Sequence, residues 1–216
     1  MIKLVLVDDE WLVRAGLTTM LSGFEDLTVV GEAADGHTAV EVVSRTRPDV
    51  VLMDVRMPRV DGLTATAALR SAPAPPAPPE VVMLTTFGAD HLVLGALRAG
   101  AAGFLLKDTP PAQLVEGIRA VAAGDPILSP AVTRGLIDRA LDDSGERRDD
   151  SRRRLAVLAP GERRVAEAIG TGASNVEIAA DLHMTVATVK TYTSRILTKL
   201  DYNNRVQIAL LVHDSH

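Results

Sequence analysis

Along the first 122 positions the apolar residues keep two rhythms that alternate five times. Short apolar runs at 3–7, 27–31, 50–53, 81–85 and 103–106 have the length and composition of strands. Apolar positions recur at helical spacing over 10–22, 36–46, 62–71, 89–99 and 110–123. The run Val50-Val51-Leu52-Met53 has no polar interruption, as expected of a strand covered on both faces of a parallel sheet. Strand and helix units in series predict a right-handed, doubly wound parallel sheet. Pro110 and Pro111 suit a first helical turn, with Thr109 or Asp108 as its cap. The proline-rich stretch 72–79 cannot be helical and reads as a stiff extended loop before the fourth strand.

The alternation ends at Gly124-Asp125-Pro126. A short helix over 130–141 is predicted, with Ser129 as cap and Pro130 at its first position. Residues 142–154 then hold ten charged side chains with only Ser and Gly between them, the composition of a solvated tether. Four more helical patterns follow. The first, 160–170, places Val165, Ala168 and Ile169 on one face. The second, 174–182, opens on a capping box of Ser174 and Glu177 and carries Ile178, Ala179 and Leu182 inward. After the tight break His183-Met184-Thr185, the third runs over 186–200 with Val189, Thr193, Ile196 and Leu200 inward. Two helices joined by such a break predict a helix-turn-helix, whose later helix enters the DNA major groove. Its opposite face offers Lys190, Thr191, Ser194, Arg195 and Thr198, with Lys199 beside them, small polar groups among cations. Arg152-Arg153-Arg154 reads as a solvated charge run, with contact to DNA phosphates as the alternative. The last pattern, 205–212, is more apolar than one face of a small bundle needs, which predicts a dimer contact. The division is a first domain at 1–123, a linker at 124–154 and a second domain at 155–216.

Charge supports two modules. The net charge of −5 splits into nine Lys/Arg against six Asp/Glu after residue 150, and 14 against 22 before it. A basic tail behind an acidic front fits a tail that meets nucleic acid. The absence of cysteine excludes disulfides, thiolate metal sites and cysteine nucleophiles. No apolar run approaches the ~20 residues of a membrane span, and the first run is too short for a signal peptide, so a cytoplasmic protein is expected.

The chemistry gathers where the strands end. Asp8 and Asp9 follow the first strand, Asp54 the third, Thr85 closes the fourth and Lys107 follows the fifth. Open α/β sheets keep their crevice at this carboxyl edge. Clustered carboxylate oxygens with retained water suit Mg²⁺. With the cation bound, Asp54 can attack a phosphoryl group as nucleophile and form an aspartyl phosphate. Lys107 would then pair with the phosphoryl oxygens and the Thr85 hydroxyl would donate to another. Trp11, the sole tryptophan, is read as packed rather than lying over the crevice, and His37 as a surface residue.

Asp8-Asp9, Asp54 with Met57-Pro58 and Asp61-Gly62 behind it, Thr85 and Lys107 resemble, in type and spacing, the receiver domain of two-component response regulators. The resemblance spans the whole first module. It implies a flavodoxin-like (βα)5 fold with a five-stranded parallel sheet, Mg²⁺, and phosphotransfer from a sensor histidine kinase onto Asp54. It implies no enzyme beyond catalysis of the domain's own phosphotransfer and dephosphorylation. Asp9, Asp54 and the Arg56 carbonyl would be direct metal ligands, with Asp8 acting through water. Phe104 matches the aromatic switch that turns inward as Thr85 moves toward the phosphoryl group.

The second module resembles the LuxR-type helix-turn-helix, through Ser174-Asn175-x-Glu177-Ile178-Ala179, Thr188-Val189-Lys190 and Lys199-Leu200. Joined to a receiver, this all-α four-helix domain resembles regulators of the NarL/FixJ type. A phosphorylated homodimer on promoter DNA follows from that resemblance, with Lys190, Thr191 and Ser194 facing bases or backbone. Leu158-Ala159-Pro160-Gly161-Glu162 departs from the usual Leu-Thr-x-Arg-Glu and lacks the capping hydroxyl. Val176 replaces a common lysine and Tyr192 a common histidine, which predicts weak binding by a single copy. Two other readings are an aspartyl phosphohydrolase and a DNA-binding protein governed by a ligand or partner. The adjoining Asp8-Asp9, in place of Asp-x-Asp, argues against the first. The complete acid, Thr and Lys set argues against the second.

Overall fold

The order of strands across the sheet places the crevice. In the computed structural model, which describes residues 1–71, 78–85, 90–128 and 145–215, parallel strands lie in the order β2-β1-β3-β4-β5-β6. They are β1 (Ile2–Val7), β2 (Leu27–Ala33), β3 (Val50–Asp54), β4 (Glu80–Thr85), β5 (Gly103–Leu106) and the two-residue β6 (Ile127–Leu128). The order reverses direction between β1 and β3, and the crevice of such a sheet opens there. The expected five-stranded parallel sheet is present, and β6 extends it by pairing Ile127 with Gly103.

Side chains alternate across each strand and so divide the core in two. Val5, Val7, Val51, Met53, Val81, Met83 and Phe104 face α2 (Gly36–Thr46), α3 (Gly62–Ser71) and α4 (Asp90–Ala99). Leu4, Leu6, Val50, Leu52, Val82, Leu84 and Leu105 face α1 (Trp11–Leu21) and α5 (Pro111–Ala122). All five residues of β3 are buried, as its unbroken apolar run requires. The cap expected from Thr109 or Asp108 is not made: Pro110 takes that position and Pro111 starts α5.

The second domain is a bundle of α6 (Gly145–Leu155), α7 (Pro160–Gly170), α8 (Asn175–Asp181), α9 (Val186–Leu200) and α10 (Arg205–His213) around its own core. The capping box at Ser174 is formed, with Glu177 Oε2 accepting from Ser174 N at 2.7 Å. Residues 142–154 differ from the expected tether, because from Gly145 onward they are helical. Tertiary contacts supply what the composition lacks. Ser151 and Leu155, one turn apart, are buried, Arg152 Nε donates to Ser215 O at 3.0 Å, and Arg154 Nη2 donates to Leu200 O at 2.8 Å. The Arg154 guanidinium also lies 4.6 Å from the centroid of the Tyr202 ring. These arginines cap carbonyls within the bundle. The expected helix at 130–141 and most of the proline-rich stretch, 72–77, lie outside the described residues.

The apolar excess of α10 has a different cause from the predicted dimer contact. Val206 belongs to the core beneath α4 and Leu210 packs against it, while Ile208, Leu211 and Val212 fill the bundle. The helix is apolar on two sides because it is shared by two domains.

Candidate functional site

Asp8 is held at every polar atom. Its N–H donates to Ala33 O at 3.2 Å, its carbonyl accepts from Arg14 Nη1 at 2.6 Å, and its Oδ1 accepts from Glu10 N at 3.0 Å. Its Oδ2 lies 2.6 Å from Lys107 Nζ. Arg14 is itself anchored by Glu32 at 3.1 Å, tying α1 to the end of β2. Asp9 is exposed at the mouth.

Asp54 ends β3 with 7% of its surface exposed. Its Oδ1 accepts from Val55 N at 2.8 Å, and its Oδ2 stands 3.2 Å from Lys107 Nζ. The chain then curls back, with Gly62 N donating to Val55 O at 3.1 Å. A Cβ on Gly62 would lie 1.9 Å from Asp54 O, so only glycine permits this approach. Thr85 is buried at the end of β4, and its carbonyl accepts from Lys107 N at 2.7 Å, which sets the two strand ends side by side. Phe104 is buried in the core on the α4 side. Exposed Arg56 lines an open pocket with Asp9, Val55, Met57, Pro58 and Asp61.

Burial pushes the Asp54 carboxyl above its ordinary range; the Lys107 charge opposes that shift and the Asp8 charge adds to it. Burial alone would lower Lys107, but its hydrogen bond to Asp8 and the charges of Asp54 and Asp8 outweigh this, and the ammonium is held above its ordinary range. The donor set fits a hard cation. Carboxylate oxygens of Asp8, Asp9 and Asp54 lie within 4.8 Å of one another. Among the described residues, the buried Asp8 Oδ2 has no partner other than the Lys107 ammonium at 2.6 Å. Three such oxygens beside an open pocket can hold Mg²⁺ with several waters retained.

Two surface features depart from expectation. Trp11, read as packed, is 70% exposed, and Leu12 beside it is 67% exposed. Both stand on the first turn of α1, next to the acids. On α9, Lys190, Thr191, Ser194, Arg195 and Thr198 are exposed as predicted. Lys199 is exposed as well but makes an ion pair within the bundle, its Nζ 2.6 Å from Glu162 Oε2. Glu162 also accepts from Ala159 N at 2.8 Å, which retains half of a capping box where the hydroxyl is missing. Gly161 and Tyr192, two of the unusual residues, meet: a Cβ on Gly161 would lie 3.1 Å from the Tyr192 hydroxyl.

Part of the outward face of α9 borders the other domain. Lys190, Ser194 and Thr198 line a cleft of about 540 Å³ between the domains, with Arg70, Glu80 and Gly124 opposite. Arg205, buried at the cleft's base, donates to Asp125 Oδ1 at 2.8 Å and to Ala173 O at 2.7 Å. Asn175 N donates to the same Asp125 oxygen at 3.0 Å. These interdomain residues had no signature in the sequence: Asn175, Asn204 and Arg205 look like ordinary cap and helix-start residues until the domains meet.

Residues 4–119 match the family described as response regulator receiver domain, and residues 156–212 match that of bacterial regulatory proteins, luxR family. The chain is similar to the transcriptional regulatory protein LiaR of Bacillus subtilis, 36% identical over 220 residues that cover 100% of this chain and 99% of that protein. It is 33% identical to the nitrate/nitrite response regulator protein NarL of Escherichia coli (strain K12), covering 97% of this chain and 94% of that one. Among solved structures it resembles the response regulator ChrA of a heme-sensing two-component system, with 35% identity, coverage of 97% and 95%, and a TM-score of 0.54. Among the described residues no helix is long and apolar enough to cross a membrane.

Proposed function

The chain belongs to the NarL/LuxR family of two-component response regulators, a receiver joined to a helix-turn-helix DNA-binding domain, and on that premise we propose that phosphorylation of Asp54 switches its control of transcription. The observation that carries this reading is the convergence of Asp8, Asp9, Asp54 and Lys107 at one rim of the sheet. A sensor histidine kinase is the donor. The P–N bond of its phosphohistidine breaks as the Asp54 carboxylate forms a new P–O bond, and the imidazole leaves with the P–N electron pair. Mg²⁺ held by Asp8, Asp9, Asp54 and the Arg56 carbonyl supplies charge neutralisation for the incoming group. Lys107, already 3.2 Å from Asp54, needs little movement to pair with a phosphoryl oxygen. The exposed Trp11 and Leu12 flank the mouth that a donor protein must approach.

The modification adds roughly two negative charges to a rim that holds one cation. Drawing in the Thr85 hydroxyl satisfies them, and Phe104 fills the space that Thr85 leaves. The added charge thereby biases a two-state receiver. The interdomain cleft of about 540 Å³ has no room for a DNA duplex, so Lys190, Ser194 and Thr198, which line it, cannot meet DNA in this form, while Thr191 and Arg195 lie outside it. Opening frees Lys190, Ser194 and Thr198 to join the already exposed Thr191 and Arg195 on DNA. It also uncovers Val206 and Leu210, apolar residues that a second copy can cover. A homodimer on two half-sites compensates for weak binding by one copy. The test is footprinting of a promoter fragment with and without phosphoramidate and Mg²⁺, with mass spectrometry of Asp54. Donor-dependent protection that Asp54→Asn abolishes is expected; equal binding by wild type and Asp54→Asn would defeat the switch.

A further inference from the structure

Two side-chain amides at the start of α10 reach the end of α4 in the same way. Asn204 Oδ1 accepts from Gln207 N at 2.9 Å and so caps the N-terminus of α10. Its Nδ2 donates to Leu97 O at 2.7 Å and to Ala101 O at 2.8 Å, at the C-terminus of α4. Gln207 Oε1 accepts from Asn203 N at 2.8 Å, while its Nε2 donates to Leu97 O at 3.1 Å and Arg98 O at 3.2 Å. Each amide uses its oxygen inside its own domain and its NH₂ group on the other.

The last carbonyls of a helix have no partner within it, and here they are met by the start of a helix in another domain. The negative end of the α4 dipole faces the positive end of α10, a favourable arrangement. The approach is close. Gly100, at φ 105°, ends α4, and a Cβ there would lie 2.8 Å from Asn203 Cβ and 2.8 Å from Arg70 Cγ. Arg70, at the end of α3, donates its Nε to Asn203 O at 3.0 Å.

We propose that Asn204 is a cap shared by two helices, and that with Gln207 it forms a clamp that ties closure of the DNA-binding domain to the present position of α4. The clamp's regulatory meaning rests on the phosphorylation reading above. Only residues 86–89 separate Thr85 from the start of α4. A helix moves as a rod, so displacement at its N-terminus carries to Leu97 and Ala101. A shift on the order of 1 Å takes a 2.7–2.8 Å bond past hydrogen-bond range. The clamp therefore converts a small helix movement into release of a domain.

The test uses variants that remove the donors and keep the acceptors. Asn204→Asp preserves the cap on α10, since Asp caps as well as Asn, but sets a carboxylate oxygen against the Leu97 and Ala101 carbonyls. Gln207→Glu does the same one turn on. The chain has no cysteine, so Glu41→Cys with Asp181→Cys gives two exposed dye positions, one per domain, for single-molecule energy transfer on the full chain. Without phosphodonor or DNA, Asn204→Asp is expected to raise the open fraction at least about tenfold, and Gln207→Glu to raise it less. An open fraction unchanged from wild type in both variants overturns the clamp. Should Asn204→Asp lose helicity, Gln207→Glu alone decides the matter. Opening by the variants, with a wild type that stays closed under phosphoramidate and Mg²⁺, upholds the clamp and removes the phosphorylation reading.

Discussion

Replacing Lys107 by methionine keeps the apolar stem and removes the ammonium that lies 2.6 Å from Asp8 and 3.2 Å from Asp54. Two carboxylates are then left with side-chain exposures of 3% and 9% and no cation. Breaking a buried ion pair in this way costs about 3–5 kcal/mol. The cost has a ceiling, because a carboxyl can take up a proton instead. Asp54 is the group to do so, since burial and the Asp8 charge already push it above its ordinary 3.8. At about 1.4 kcal/mol per pH unit, that escape costs about 4 kcal/mol at pH 7 and under about 2 kcal/mol at pH 5. A carboxyl raised in the folded state contributes stability below its unfolded value and loses that contribution as pH rises through its folded value. Lys107→Met is therefore expected to lose about 3–4 kcal/mol against wild type at pH 7 and under about 2 kcal/mol at pH 5, both in EDTA. Urea unfolding measures this, followed by circular dichroism and by Trp11, the only tryptophan, which reports on the receiver alone. Saturating Mg²⁺ should restore part of the loss at pH 7, since a divalent ion replaces the missing charge. An equal loss at both pH values, or further destabilisation by Mg²⁺, would refute the electrostatic account.

Two cations on α9 should behave differently. Lys190→Met is expected to reduce the slope of log K against log salt by about 0.9, as one lost phosphate contact does. Lys199→Met should leave that slope unchanged and lower the melting temperature of the bundle, because its ammonium serves Glu162. Gly62→Ala places a Cβ 1.9 Å from Asp54 O; it should cost at least about 1–3 kcal/mol and reduce the yield of Asp54 acyl phosphate. Wild-type stability and yield in that variant would show that the turn relaxes without moving Asp54.

Local rules account for most of the individual elements. Alternating apolar rhythms specified five strand and helix units, and unbroken runs such as Val50 to Met53 marked strands covered on both faces. Because parallel strands all point one way, acids and an amine at strand ends had to meet on one rim, and Asp8, Asp54 and Lys107 do. The capping box at Ser174 was equally legible, since capping is a contact between neighbours in sequence. Composition misled where distant partners intervene. The charged run is helical from Gly145 onward because Ser151, Leu155 and two arginines found the bundle. Lys199 pairs with Glu162, a partner on another helix that composition does not reveal.

What the sequence determined by itself is the set of segments and the residues gathered at the sheet's edge, consequences of periodicity and strand direction, together with the two families that its motifs resemble. Only the tertiary structure decided what lies across the domain boundary. Asn204 is an unremarkable helix cap in sequence, and its NH₂ group gains a second role only when Leu97 and Ala101, more than a hundred residues away, present their carbonyls. No pattern along the chain encodes that meeting, because it depends on how two separately folded surfaces fit together.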